Sequence, residues 1–438
     1  MSRPGRFDAV LVGVALLLGA LFAWMIPVGA NPDEDAHRAL VGLMARNDRL
    51  IVFVPTAGRA PVPKAVLDNI ARETGWRELP EGEPSRDEAH QPPLYYALAA
   101  LVRKVAGDVP FPVRAISLLF HGATVWLLVR GLRGLFPTRP WIAAGAAAFA
   151  AVLPVAAQLG GAISNDAAAH FFSAWFCLGC ARLAATGPDR GSVVRLGAVL
   201  GLGLLTKTTV LQLVPLLMLA AWMGIQRTGV RPAEMVRAVV LVLGIALLLA
   251  FPWFMRNSQL YGDPLARTIY AATGPNFAPS AIREIAGWSV VDYARQVGVR
   301  TFATMFYFLD PNLPFPRFTG SPMPLAMVLI VAIGGGAGAW KAWREERVPV
   351  NERIPETLLA AAPWLLVPFS IAFSLTVFQA QGRYLLPALA GFATVFASGW
   401  SFWTQKRPWL GAFVPATAML VLSVAQMLGG GFVGGSGR

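Results

Sequence analysis

The stretch "NPDEDAH", residues 31–37, sets Asp33, Glu34, Asp35 and His37 directly behind an apolar run. A carboxylate beside a hydroxyl can take its proton as the oxygen attacks, and nearby cations can neutralise a departing phosphate. Further polar groups suited to such a site recur along the chain. They are His90 before Pro92 and Pro93, Arg114 opening a second apolar run, Asn165 and Asp166 in "AISNDAAAH", and Lys207 in "LLTKTTV". Arg256 and Asn257 close a later run, and Gln379, Gln381 and Arg383 mark "FQAQGRY". Ionisable groups at the ends of membrane runs are costly, so they line a cavity or pair with one another. The expectation is a ring of these groups around one cavity. The plainer reading of Asp33, Glu34 and Asp35 is a charged helix start, with Asn31 as cap and Pro32 in the first turn. Both readings stay open at this stage.

The elements that must carry these residues are membrane helices. The chain is 55% hydrophobic and only 14% charged, which excludes an ordinary water-soluble globule. Its formal charge of +13 falls in small groups between apolar runs, the pattern of cytoplasmic loops rather than of a nucleic-acid surface. Cys177 and Cys180 form a CxxC inside an apolar run, where a reactive thiolate is hard to sustain, and read as small core residues. Runs near the 20 residues needed to cross a bilayer lie at 8–28, 113–131, 140–158, 167–186, 191–206, 208–226, 236–256, 322–343, 356–378, 384–403 and 408–428. The fold class is therefore all-α and polytopic, with about 11 transmembrane helices. The first run has Arg3 and Arg6 before it and Val28, Gly29 and Ala30 after it, as a cleaved signal would, but its length favours a retained span.

The basic clusters at Arg3 and Arg6, Arg130 to Arg139, Arg190 and Arg195, Arg227 to Arg237, Lys341 to Arg347, and Lys406 and Arg407 all face one side only if "PPLYYALAALVRKVA", residues 92–106, does not cross. Its apolar part covers about 21 Å, too short to span, and suits a helix at the outer interface with Tyr95 and Tyr96 at headgroup level. The amino terminus is then inside, the tail "GGGFVGGSGR" outside, and two large outer loops span 29–112 and 257–321. Eleven of the 24 acids lie between Asp33 and Glu88 in the first loop; Glu78, Glu81, Glu83 and Asp87 read as solvated loop acids among Pro and Gly. The second loop, with "NFAPSAIREIAGWSVVDYARQ", reads as a cap over the cavity.

The order "NPDEDAH", "HQPPLYYALAAL", "VRAISLLF", "ISNDA", "LLTKTT", "PWFMRNSQLYGDP" and "QGRYLLPAL" resembles the GT-C superfamily of polyprenyl-phosphate-sugar-dependent glycosyltransferases. The nearest branch is bacterial, carries PDExxH and QGRY elements, and is related to protein O-mannosyltransferases and the lipid A aminoarabinose transferase. The resemblance implies a catalytic module at 1–256, the outer cap at 257–321 and further membrane helices at 322–438. It also implies a catalytic base at Asp33 or Glu34, Asp33 first, and the extra acid of "DED" keeps Asp35 as a further candidate. Arg114, Lys207 and Arg383 would hold the lipid phosphate, and His37 and His90 would donate to phosphate or support the acidic loop. Asn165, Asp166 and Arg256 would complete the substrate-binding ring.

The implied reaction moves a sugar from a polyprenyl-phosphate-sugar to an acceptor hydroxyl with inversion, on a glycan, lipid or protein of the cell envelope. No cofactor is required, and Mg or Mn is the metal that acids and histidines would admit. High Ala, Gly, Arg and Pro usage points to a bacterial inner membrane. A transporter or flippase of lipid-linked sugars, the alternative reading, would show inverted repeats, and none is evident.

Overall fold

A computed structural model describes residues 5–56, 62–267, 269, 278–306, 323–378 and 380–428. The described residues form helices and turns with no strand. The bundle contains α1 (Arg6–Met25), α5 (Pro110–Leu135), α6 (Pro140–Val152), α7 (Pro154–Gly160), α8 (Asp166–Thr186), α9 (Arg190–Leu204), α10 (Val214–Thr228) and α11 (Pro232–Tyr261). It continues with α14 (Met323–Arg344), α15 (Val350–Ser374), α16 (Leu389–Trp403) and α17 (Pro408–Leu428). The first outer loop holds α2 (Glu34–Asn47), α3 (Lys64–Thr74) and α4 (Leu94–Ala106); the second holds α12 (Pro279–Ala286) and α13 (Val290–Thr304).

All eleven apolar runs are helical, but they do not make eleven equal crossings. Among the described residues nine helices are long and apolar enough to cross, and the pair α6 and α7, bent by 62°, makes a tenth. Pro154 causes the bend: it has no amide hydrogen for the ladder, and its ring crowds the preceding turn. The run at 191–206 is the 15-residue α9, about 22 Å long, because the chain leaves the helix at Leu205 and re-enters through a 3-10 turn at Thr208–Leu213. α4 is 13 residues long and is not among the crossing helices. It packs on α2 and α5, and its first amide bonds the Leu205 carbonyl at 2.9 Å.

Successive spans run back and forth, so helix ends sort onto two faces. One face carries Asp8 against Arg133 at 2.6 Å and Arg139 against Glu352 at 2.7 Å. The other gathers the end of α1, the starts of α5 and α8, and the junctions at Lys207 and Arg383, which are the positions the sequence marked. α8 and α16 run through the middle of the apolar core, while α11 and α14 lie at its rim. Close approach needs glycine here: a Cβ on Gly399 of α16 would stand 1.7 Å from the Gly335 carbonyl of α14.

Over the second face lies a smaller core of its own. Leu40, Val41, Phe53, Ile70, Tyr95, Tyr96 and Tyr261 pack together, and the Phe53 amide donates to the Tyr261 hydroxyl at 3.1 Å. The segment between α1 and α5 thus forms a folded cap over that face. Gln379, residues 270–277 and 307–322 of the second loop, and the tail 429–438 lie outside the described residues.

Candidate active site

The acidic stretch divides its two leading carboxylates between different tasks. α2 starts at Glu34 rather than at Pro32, with Asp33 as its cap in a left-handed conformation (φ 58°). Asn31, expected to cap, instead donates to Glu34 Oε2 at 3.0 Å. Glu34 is fully buried and takes the Arg114 guanidinium in a fork, Nε to Oε1 at 2.8 Å and Nη2 to Oε2 at 2.7 Å. The amides of Gly29 and Ile163 complete its shell at 3.1 and 2.9 Å. Arg114 spends its remaining hydrogens on the carbonyls of Ala23, Ile26 and Pro27 at the end of α1. Burial alone would raise the Glu34 carboxyl, but Arg114 and the amide donors hold it below the usual range. Five donors on one carboxylate tie α1, α2, α5 and the turn before α8 together.

Asp33, one residue earlier, keeps a side chain that is 48% accessible while its Oδ2 lies 2.5 Å from Arg383 Nη2. Arg383 stands in the 3-10 turn Gly382–Ala388 ahead of α16, and its other terminal nitrogen reaches Asp166 Oδ2 at 3.4 Å. Asp166 opens α8, where the positive end of the helix favours an acid, and its Oδ1 receives Lys207 Nζ at 2.6 Å. Four charged residues from 33 to 383 thus alternate acid and base in one cluster. Burial would raise the Asp33 carboxyl, but Arg383, then His37 and Lys207, hold it below the usual range.

Around this cluster sit groups the sequence marked and two it did not. His37, one turn into α2, shares a 2.8 Å hydrogen bond with the Tyr96 hydroxyl and lies 3.7 Å from Glu88 Oε2. Neither Tyr96 nor Glu88 was singled out in the sequence as part of the site. Glu88 stands only two residues before His90 in "DEAHQPP", the one local signal that could have found it. Burial, assisted by the negative charge of Asp33, lifts the Glu88 carboxyl above its usual range despite His37, Lys207 and Arg383. His90 donates from Nδ1 to the Asp87 carbonyl at 2.6 Å, and burial pushes its ring down to about 4. Asn165 caps α8 beside Asp166 and donates to Gln91 Oε1 and the Thr206 carbonyl at 3.3 and 3.2 Å. Arg256 points elsewhere: it donates to the Ile51 carbonyl at 2.9 Å and lies over the Trp253 ring at 4.8 Å, holding the outer cap.

Among the described residues, Arg383 Nε, Asn165 Oδ1, Gln381 Oε1 and Glu88 Oε2 are buried polar atoms with no hydrogen-bond partner. Such atoms are uncommon in folded proteins, and their gathering around Arg383 leaves hydrogen-bonding capacity open at this place. No group of three or more His, Cys, Asp or Glu among the described residues is disposed to hold a metal ion. Where a divalent ion could bridge Asp33 and Asp166, Arg383 and Lys207 already bring positive charge to both. The arrangement can therefore accept an anion on Arg383 and Lys207 beside an accessible carboxylate.

Residues 90–255 match the family described as dolichyl-phosphate-mannose-protein mannosyltransferase. Among solved structures the chain is similar to ArnT from Cupriavidus metallidurans in the apo state. That match has 14% identity and a TM-score of 0.55, and covers 97% of this chain and 77% of ArnT. The same enzyme bound to undecaprenyl phosphate matches with the same identity, TM-score and coverage. The oligosaccharyltransferase AglB from Archaeoglobus fulgidus, in complex with an inhibitory peptide and a dolichol-phosphate, matches at 13% identity and TM-score 0.55, over 96% of this chain and 56% of AglB. No curated protein matches the chain. The chain thus shares its fold with the solved structures of ArnT and AglB, and the family match covers its residues 90–255.

Proposed function

We propose that the protein moves a sugar from a polyprenyl-phosphate-linked donor to an acceptor hydroxyl, with Asp33 as general base and Arg383 and Lys207 receiving the phosphate. The observation that carries this reading is the cluster itself: one half-accessible carboxylate shares its arginine with a buried acid, and that arginine keeps an unpartnered nitrogen. A lipid phosphate arriving at Arg383 competes with Asp33 for the guanidinium. As Arg383 turns to the phosphate, Asp33 loses the cation that depresses its pKa and becomes a better base. Donor binding thereby prepares the base, and the acceptor oxygen attacks the anomeric carbon opposite the leaving phosphate, inverting the centre.

Glu34 and Arg114 take a different part from the one their positions suggested. With every donor and acceptor spent, this pair positions Asp33 rather than touching substrate, and Asp33 alone of the two leading acids is free to work as base. His37 supports the loop through Tyr96, and Arg256 braces the cap. Charge neutralisation by Arg383 and Lys207 leaves Mg and Mn without a required task.

The basic pairs Arg133 with Asp8 and Arg139 with Glu352 lie on the face opposite the site, which by the positive-inside rule supports an amino terminus in the cytoplasm and a site on the outer side of a bacterial inner membrane. Envelope glycan assembly or modification follows as the process served. The test is mass spectrometry of lipids and surface glycans from a deletion strain complemented with wild type or Asp33→Asn at matched expression. One polyprenyl-phosphate sugar should accumulate and its surface counterpart vanish, with rescue by wild type only. Unchanged lipid-linked sugars and glycans in the deletion strain would sink the reading.

A further inference from the structure

Of the four acids Asp33, Glu34, Asp166 and Glu88, three have a strong cationic partner. Asp33 has Arg383, Asp166 has Lys207 and Arg383, and Glu34 has Arg114. Glu88 has only the His37 ring at 3.7 Å, and its buried Oε2 takes no hydrogen bond among the described residues. Its side chain is 13% accessible. An ionised carboxylate oxygen in that setting would bear a desolvation cost with no hydrogen bond to offset it, whereas a neutral acid bears far less. The groups whose charges reach it are His37 and Asp33 on and before α2, Lys207 at the α9 junction, and Arg383 ahead of α16, with Tyr96 on α4 beside it. With Glu88 neutral, the two acids and two bases of the cluster cancel. With Glu88 charged beside a neutral His37, the resting site would be net negative and would repel the phosphate it is built to receive. The raised affinity of this carboxyl for its proton agrees with the geometry.

We propose that Glu88 holds a proton in the resting site and serves as general acid, giving that proton to the departing lipid phosphate. This rests on the transferase reading above. The acceptor oxygen forms its bond to the anomeric carbon, and its proton passes to Asp33. The bond from the anomeric carbon to the phosphate oxygen breaks, and the electron pair stays with the phosphate. Glu88 protonates that phosphate, so the singly charged diester leaves as a singly charged monoester. Asp33 then returns its proton to Glu88, and His37, within reach of Glu88, is positioned to pass it. The site ends each turnover in its starting state of charge.

Two measurements on the full chain in lipid vesicles test this. Infrared spectra at neutral pH should contain a protonated-carboxyl band that shifts in heavy water, disappears in Glu88→Gln and persists in Asp33→Asn. A wild-type spectrum without such a band, or a band that survives Glu88→Gln, would overturn the proposal. The second measurement supplies lipid-linked sugars extracted from the deletion strain and follows their consumption against pH. Glu88→Gln should keep wild-type thermal stability, lose turnover by about 100-fold, and lack the fall in kcat at alkaline pH seen in wild type. Full turnover by Glu88→Gln beside an active wild type overturns the acid role. If wild type consumes none of these lipids, the transferase reading fails instead, and the infrared band still decides whether Glu88 carries a proton.

Discussion

Asp33 and Glu34 are neighbours in the chain with the same functional group, yet their surroundings give them different consequences on mutation. Asp33→Asn removes the proposed base and keeps the shape, so turnover should drop by about 10²- to 10⁴-fold while protein level and melting temperature stay near wild type. Arg114→Met leaves Glu34 buried without its cation and should cost about 3–5 kcal/mol, seen as loss of folded protein in detergent before any assay of activity. His90 supplies a pH signature. Its folded value is depressed to about 4, below the ordinary 6.5, so the unfolded chain binds the proton first as pH falls. Stability associated with His90 is complete above that ordinary value and is lost as pH drops through the window down to about 4, by roughly 3 kcal/mol in all. Thermal melts across this window should show the loss in wild type and a flatter profile in His90→Gln. The acids at 33 and 34 were legible from type and place. Which one stays free was not, since that depends on Arg114, eighty positions from Glu34, folding onto it.

At the scale of elements, the site depends on junctions where helices stop, and backbone room at those junctions is as necessary as charge. Gly382 precedes Arg383, and its amide donates to the Thr304 hydroxyl at 2.8 Å. A Cβ there would sit 2.3 Å from the Met305 amide nitrogen, so Gly382→Ala must push the Arg383 turn away from the end of α13. Turnover should fall at least about tenfold with no charge altered, because a displacement near 1 Å in a positioning element is enough to disturb catalysis. The comparison is kcat for Gly382→Ala against Gly75→Ala, a glycine at the end of α3 with open space around it but positive φ. α4 was legible as a helix that does not cross, from its length and its basic end. Its second use, bringing Tyr96 to His37, was hidden because the two residues meet only when α2 and α4 pack side by side.

Over the whole molecule the two faces differ in the kind of ionic structure they carry. The basic face holds its charges in pairs and networks such as Arg139 with Glu352 and Glu356, and the other face holds the cluster with an accessible acid. Cysteines placed at Asp48 and at Gly191, in a background with Cys177 and Cys180 replaced, should label differently with an impermeant thiol reagent on intact inner-membrane vesicles of known sidedness. Position 48 should react from the periplasmic side and position 191 from the cytoplasmic side; the reverse pattern would invert the proposed topology.

Several properties were determined by the sequence alone: membrane class, the positions of the eleven helical runs, and the polar residues at their ends. Each of these follows from local length, hydrophobicity and charge, which act over one helix at a time. Tertiary structure decided the rest. It separated Asp33 from Glu34, joined Asp33 to Arg383 and Arg383 to Asp166, turned Arg256 away to the cap, bent the chain at Pro154, and brought Glu88 to the cluster. Those outcomes depend on which side chains exclude water from one another across hundreds of residues, and a carboxylate becomes a clamp, a base or a neutral acid according to the partners it finds there.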